Sequence, residues 1–460
     1  MKRLGLFVGL LLLFIGSVVA QPKYIFLFIG DGMGINHIHG TELYNAAVHP
    51  EMEGDGRLSF TRFPIRTYCT SHSASSLVTD SAAAGTAMAT GVKTKNGMLG
   101  VDAAGNVVSN LCEDASARGM MVGIVSNVGM NHATPAVFYA HNASRGAYND
   151  IFEQYLAGGV DFAAGATVLH RKKEGYTIDK CVEKARSAGI FVTQNSEEAA
   201  QTKQQRVLLL SDSLSRRALR FATDVTKGEP TIVDFSRAAV RYMEREAKES
   251  GFFMMIEAGH IDYAAHDNDA VTTFEEINDL SRSVALALDF YERYPDETLI
   301  IITADHETGG LTLGYSGYKM SLERLAYQKT SMESLTRKMQ YMRSVGKTSW
   351  EDMQTLLRNE LGFWDKVSLR EKDEEQLLKT FEKNFLKNGE KVVGLYTSNE
   401  KMASVAIEIL NKRASIKWTS LNHTGAQVPL FAKGRCAEEF MECRDNTDVA
   451  KIIKRIISAK

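Results

Sequence analysis

Short apolar runs alternate along this chain with longer stretches of helical periodicity, and acids and histidines gather where the apolar runs stop. Runs rich in β-branched and aromatic residues predict strands at 24–29, 121–125, 207–210, 252–256, 298–302 and 428–432. Apolar residues spaced three and four apart predict helices over 80–90, 107–118, 147–157, 179–188, 234–249, 270–293 and 446–458. This alternation predicts an α/β fold with a mostly parallel central sheet flanked by helices. In open sheets of that kind ligands bind beyond the carboxyl ends of the strands, where Asp31, Glu257 and Asp305 fall.

The pattern changes between 315 and about 415. Lys, Glu, Met and Gln dominate there, with helical spacing in 333–344, 349–360 and 372–388. The segment separates His306 from His423, so it reads as a helical insertion within one catalytic domain spanning 21–460. A solvated, cap-like set of helices is the plain expectation; a lid or a subunit contact governing access is the alternative.

Composition adds bounds. The chain has 460 residues, 44% apolar and 24% charged, as an ordinary globular protein with a large core would. Its formal charge is −2 with no basic tract, so nucleic acid is not expected as a specific partner. Residues 1–20 read as a signal peptide: Lys2 and Arg3, an apolar core from Leu4 to Ile15, and the small-residue site Val18-Val19-Ala20. Cleavage there predicts a periplasmic or secreted protein without a membrane anchor. Of the five cysteines, Cys436 and Cys443 are the best candidates for a disulfide; buried free thiols are the alternative.

The candidate chemistry lies at the run ends. Asp31 stands among Gly30, Gly32 and Gly34 after the first apolar run. Glu257, Asp262 and His266 follow the fourth, and Asp262 and His266 are four apart, on one face of a helical turn. Lys and Arg are absent from 251–269, and acids without basic partners call for metal. Asp305 and His306 close the next run, and His423 precedes the last. Ser81 follows Asp80 at the start of an alanine-rich helix, with amide donors and the positive dipole end beside it. A serine hydroxyl needs a base or a metal to become a nucleophile, and no nucleophile elbow surrounds Ser81. Arg145 offers a guanidinium fork suited to phosphate oxygens.

Together these motifs resemble the alkaline phosphatase family over about 23–314 and 415–458. The resemblance rests on Ile29 to Gly34, Val78 to Ala83, Gly91 to Thr94, His132 to Pro135, Glu257 to His266 and Thr303 to His306, in that order. It implies a secreted phosphomonoester hydrolase that releases alcohol and phosphate through a covalent phosphoserine at Ser81. It further implies two Zn2+ and one Mg2+ per subunit, and a homodimer acting on small phosphomonoesters. Asp262, His266 and His423 would hold one zinc, and Asp31, Asp305 and His306 the other. Glu257 and Thr134 would complete a magnesium site with Asp31, and Arg145 would clamp phosphoryl oxygens. His132 and Tyr263 stand where well-known bacterial members have an acid and a lysine. That departure implies that His132 lies behind the third cation's ligands. A phosphodiesterase or sulfatase of the same superfamily is the related alternative, but Ser81 lacks the C/S-x-P-x-R setting of sulfatases. A metal-storage protein without turnover is the unrelated one, and the joint presence of Ser81 and Arg145 argues against it.

Overall fold

The structure, a computed structural model, describes residues 21–49, 56–172, 175–211, 213, 216–315, 317–387 and 390–458. The signal-peptide segment 1–20 lies outside the described residues. Among those described, no helix is long and apolar enough to cross a membrane.

Nine strands form one sheet: β1 (Tyr24–Gly30), β2 (Ile65–Cys69), β3 (Met121–Ser126), β4 (Phe162–Gly165), β5 (Phe191–Thr193), β6 (Val207–Leu210), β7 (Phe252–Ala258), β8 (Thr298–Thr303) and β9 (Val428–Gly434). Their spatial order is β2-β9-β8-β1-β7-β3-β4-β6-β5. β9 runs antiparallel to both its neighbours, and every other pairing in the sheet is parallel. The central strands are apolar without alternation because helices cover both faces; β1, β7 and β8 are buried along their whole length. Each Ile or Phe buried there contributes about 1.5–3 kcal/mol of transfer free energy.

Register decides where the chemistry goes. Ile29 of β1 pairs with Glu257 of β7 on one side and with Thr303 of β8 on the other. The turns that follow β1 and β8 therefore deliver Asp31 and Asp305 to the edge of the sheet where Glu257 stands, at the carboxyl end of β7.

Capping residues set the helix starts. The helix expected from 107 begins at Leu111, because the Asn110 side chain accepts the Cys112 and Glu113 amides while Glu113 returns to the Asn110 amide. Thr231 and Asp234 form the same box ahead of Ile232–Glu246. The expected 372–388 helix is Glu371–Thr380 followed by a π-helical turn, Phe381–Phe385.

The 315–415 segment packs with part of the main body into a second apolar cluster. Leu325, Leu335, Met353, Leu357, Phe385 and Leu410 are buried there, in a cluster that also takes in Val271 and Phe274 of the main body. A two-stranded hairpin, Lys391–Val393 and Ser398–Glu400, projects from it.

The cysteine expectation is corrected in one respect. All five thiols are buried and free, and the neighbour of Cys443 is Cys69, with sulfurs 2.8 Å apart. Pairing of Val428 with Cys69 brings β2 beside the C-terminal segment, whereas Cys436 sits at the far end of the short Ala437–Glu442 helix with its thiol toward Gln21.

Candidate metal and phosphoryl site

Three groups of metal-ligating side chains meet beyond the carboxyl ends of β1, β7 and β8. Asp262, His266 and His423 form one; Asp31, Asp305 and His306 the second; Asp31, Glu257 and His132 the third. Within each group the ligand atoms lie within 4.8 Å of one another. Asp31, Glu257, Asp262 and Asp305 are wholly buried.

Local structure explains the convergence. Gly32, at φ +74, lets the chain turn sharply after Asp31; a Cβ there would sit 2.8 Å from Asp262 Oδ1 and 2.9 Å from Thr308 Oγ1. Its amide donates to Asp305 Oδ1 at 3.0 Å. The helix His260–His266 sets Asp262 and His266 on one face, with His266 Nε2 3.4 Å from Asp262 Oδ2. His423 arrives from a two-residue strand whose partner contains Thr308, placing its Nε2 3.7 Å from Asp262 Oδ1. His306 Nε2 lies 3.2 Å from Asp305 Oδ2 and 3.4 Å from Asp31 Oδ1.

Hydrogen bonding shows what these groups fit. His266 Nδ1 donates to the Leu421 carbonyl at 2.6 Å, and His423 Nδ1 to the Thr79 carbonyl at 2.9 Å. With those hydrogens committed, the two Nε2 atoms are turned toward each other 3.1 Å apart, and a cation between them would take both as ligands. The carboxylates give the same result: Asp31 Oδ1, Glu257 Oε1, Asp262 Oδ2 and Asp305 Oδ2 are buried without hydrogen-bond partners. Buried polar atoms left unpaired cost about 1–3 kcal/mol each, more when charged, and a divalent cation removes that cost. The donor set therefore fits two cations with nitrogen ligands and a third richer in oxygen.

Electrostatics agree. Burial, followed by the charges of Asp305, Asp262 and Glu257, pushes the Asp31 carboxyl well above the ordinary range. Burial raises Glu257 and Asp305 to about 7. Burial alone would raise Asp262 too, but His266, His423 and His306 hold it far below. His266 is raised to about 8, because the Asp262 charge outweighs burial.

Ser81 opens the helix Ser81–Thr90, is fully buried, and has its Oγ 3.4 Å from His306 Nε2. Asp80 caps that helix by accepting the Ala83 amide, and its other oxygen takes Arg145 Nη1 at 3.0 Å. The guanidinium thus lies against the residue preceding Ser81. Arg145 Nη2 donates to His132 Nε2 at 3.3 Å. Thr134 reaches Asp31 Oδ2 at 3.4 Å.

Every site residue expected from sequence comes into this one region. His132, expected behind the third cation's ligands, comes within ligating reach of Asp31 and Glu257. It stands among the third group because it caps the short Ala133–Ala136 helix, whose Thr134 reaches Asp31. Burial first, then Arg145, lowers its pKa to about 3, so its imidazole is neutral and able to ligate. Sequence reasoning missed three contributors. Thr308 Oγ1 donates to Asp262 Oδ1 at 2.5 Å, and Ser126 donates to Glu257 Oε2. Tyr396, at the tip of the insertion's hairpin, lies with its hydroxyl 3.5 Å from Arg145 Nη2. Thr308 lies two residues beyond His306 and Ser126 directly follows the strand predicted at 121–125, so position could have flagged both; nothing local marks Tyr396. The other histidines of these stretches lie outside the three groups: His37 accepts the Gly34 amide and His260 faces Glu276.

Sequence and structure comparisons converge. The family described as alkaline phosphatase matches residues 22–459. Alkaline phosphatase 4 of Bacillus subtilis is 31% identical over 95% of this chain and 89% of its own length. Alkaline phosphatase 3 of the same organism is 28% identical over 94% and 88%. Among solved structures, a cold-active alkaline phosphatase from a Shewanella species superposes with a TM-score of 0.79 at 26% identity, over 94% of this chain and 99% of that one.

Proposed function

The chain belongs to the alkaline phosphatase family and is a phosphomonoester hydrolase; we propose that it works through a covalent phosphoserine at Ser81, supported by two Zn2+ and one Mg2+. Asp262, His266 and His423 would hold one zinc and Asp31, Asp305 and His306 the other. Asp31, Glu257 and Thr134 would hold magnesium, with His132 beside them. When bound, these cations offset charge on phosphoryl oxygens and lower the pKa of hydroxyl groups.

The chain's own residues do the rest. Arg145, fixed by Asp80, presents its fork to two phosphoryl oxygens. Ser81 Oγ, at a helix N-terminus, forms a bond to phosphorus as the bond to the alcohol oxygen breaks, and the alcohol leaves protonated. Water then breaks the Oγ–P bond, a proton returns to Ser81 Oγ, and inorganic phosphate departs. Catalysis is mainly positioning and charge stabilisation.

The observation that carries this reading is the opposed pair of imidazole nitrogens and four unpartnered carboxylate oxygens gathered beside the buried Ser81. Export to the periplasm or medium and a homodimeric state belong to the same proposal. It rests there on the sequence of residues 1–20 and on family habit. The test is hydrolysis of an aryl phosphate monoester, the matching diester and a sulfate ester. The monoester should be favoured strongly. Chelation should abolish turnover, and zinc with magnesium should restore it; recovery with calcium alone contradicts the metal assignment.

A further inference from the structure

Beyond a wall of two tyrosine rings from the phosphoryl site lies a cavity of about 360 Å³. Tyr263, which follows Asp262, stacks on Tyr396 at 4.0 Å between ring centres, and both line this cavity. The Tyr396 hydroxyl is the group 3.5 Å from Arg145 Nη2, so the cavity and the phosphate clamp share that wall.

Four arginines line the cavity, Arg216, Arg217, Arg220 and Arg337, against the acids Asp224 and Glu333. Three of their charges are answered. Arg216 and Arg220 share Glu229 at 3.6 and 2.5 Å, and Arg337 pairs with Glu333 and lies 3.9 Å from Asp224. Arg217 has no ion pair among the described residues; its hydrogen-bond partner there is the Tyr148 hydroxyl at 3.5 Å. Its backbone is nonetheless held in place. Ala218 bridges to Val128, and the Leu219 amide donates to the Asn127 carbonyl at 2.8 Å, just past the end of β3. A guanidinium with no ion pair among the described residues, carried on a segment held at Ala218 and Leu219 and facing the same space as the Ser398 side chain, suits an oxyanion.

We propose that this cavity is a subsite for a second anionic group on the alcohol portion of the substrate, with Arg217 as the specificity-determining residue. The inference rests on the phosphomonoesterase reading and names its substrate class: phosphomonoesters whose alcohol carries a further phosphate or carboxylate. The reacting phosphoryl group would lie on Ser81 and Arg145, the alcohol would pass the Tyr263–Tyr396 edge, and the second anion would meet Arg217.

The test separates binding from turnover. Zinc- and magnesium-loaded protein carrying Ser81→Ala is titrated by calorimetry with three ligands of one chain length: a straight-chain diol bisphosphate, an ω-carboxyalkyl phosphate and an alkyl monophosphate. The bisphosphate should bind about tenfold tighter than the monophosphate, and Arg217→Ala should remove that advantage while leaving the monophosphate within about twofold. Arg217→Lys should recover part of it. A gain for both anions, or for the bisphosphate alone, supports the subsite and distinguishes which oxyanion it takes. Equal affinity for all three ligands, or an Arg217→Ala effect equal for all three, overturns it. Hydrolysis of the alkyl monophosphate by protein with Ser81 intact is measured alongside. Its failure would contradict the phosphomonoesterase reading, while the binding comparison would still decide the subsite.

Discussion

Thr308 joins two of the candidate cation sites through one hydroxyl. It donates to Asp262 Oδ1 and lies 3.2 Å from His306 Nδ1, from which it can accept. That chain fixes the His306 hydrogen on Nδ1 and turns Nε2 toward Asp31, Asp305 and Ser81. Thr308→Val keeps the shape and removes both bonds. Zinc affinity, measured by competition with a chelator, should fall about 10–100-fold; unchanged affinity would show that the hydroxyl orients nothing. Arg145 is a different case, since it touches phosphoryl oxygens rather than a cation. Arg145→Ala should weaken inhibition by inorganic phosphate and raise KM about tenfold or more, with zinc content unchanged. Loss of zinc together with phosphate affinity would instead give Arg145 a structural part in the metal site. Residues of this kind were legible in the sequence where they stood at strand ends or, like Ser81, Thr134 and Arg145, in stretches that resemble the family. Asp31, Glu257 and Asp305 could be placed because an apolar run points at each. Tyr396 could not, because its approach to Arg145 depends on how a whole insertion folds.

At the scale of elements, parallel pairing of β1 with β7 and β8 aligns three acids, and antiparallel β9 closes the sheet toward β2. The long strands were readable because burial on both faces leaves continuous apolar runs. Short β4, of sequence Phe-Ala-Ala-Gly, and three-residue β5 carry too few β-branched side chains to stand out. The approach of Cys69 to Cys443 was unreadable for another reason: it follows from a strand pairing between the two ends of the chain. The same junction holds Asp445, which binds Lys93 Nζ at 2.9 Å and accepts from Thr70 and Thr447. Burial works against the Asp445 carboxylate, but Lys93 and the threonines lower its pKa to about 2. A pKa depressed on folding adds stability above the unfolded value, near 4, and loses it as pH falls through about 2. Asp445→Asn should therefore lower Tm at neutral pH by a few degrees, with the difference from wild type shrinking between about pH 4 and 2. A gap that stays constant over that range would contradict the ion-pair account.

The whole molecule buries four carboxylates in one region with Arg145 as its nearby guanidinium, an arrangement that destabilises the metal-free fold. Cations that bind only the folded state stabilise it by about 4 kcal/mol each at a thousandfold excess over Kd. Chelation should then lower Tm by at least about 5 °C, and zinc with magnesium should restore it. A Tm indifferent to chelation would mean that the clusters hold no tightly bound ions. The insertion packs with part of the main body into a second apolar cluster and sends a single hairpin to the site, which ties the family's hydrolytic centre to a part of the chain that sequence motifs leave blank. The central claim remains the covalent step at Ser81, and its most direct measurement is phosphoryl trapping. Metal-loaded protein is mixed with an aryl phosphate monoester, quenched in acid, digested and examined by mass spectrometry. The account predicts one added phosphoryl group on the peptide containing Ser81, absent in Ser81→Ala, which should also lose nearly all turnover. Turnover near the wild-type rate in Ser81→Ala, or phosphoryl transfer to a different residue, would contradict it.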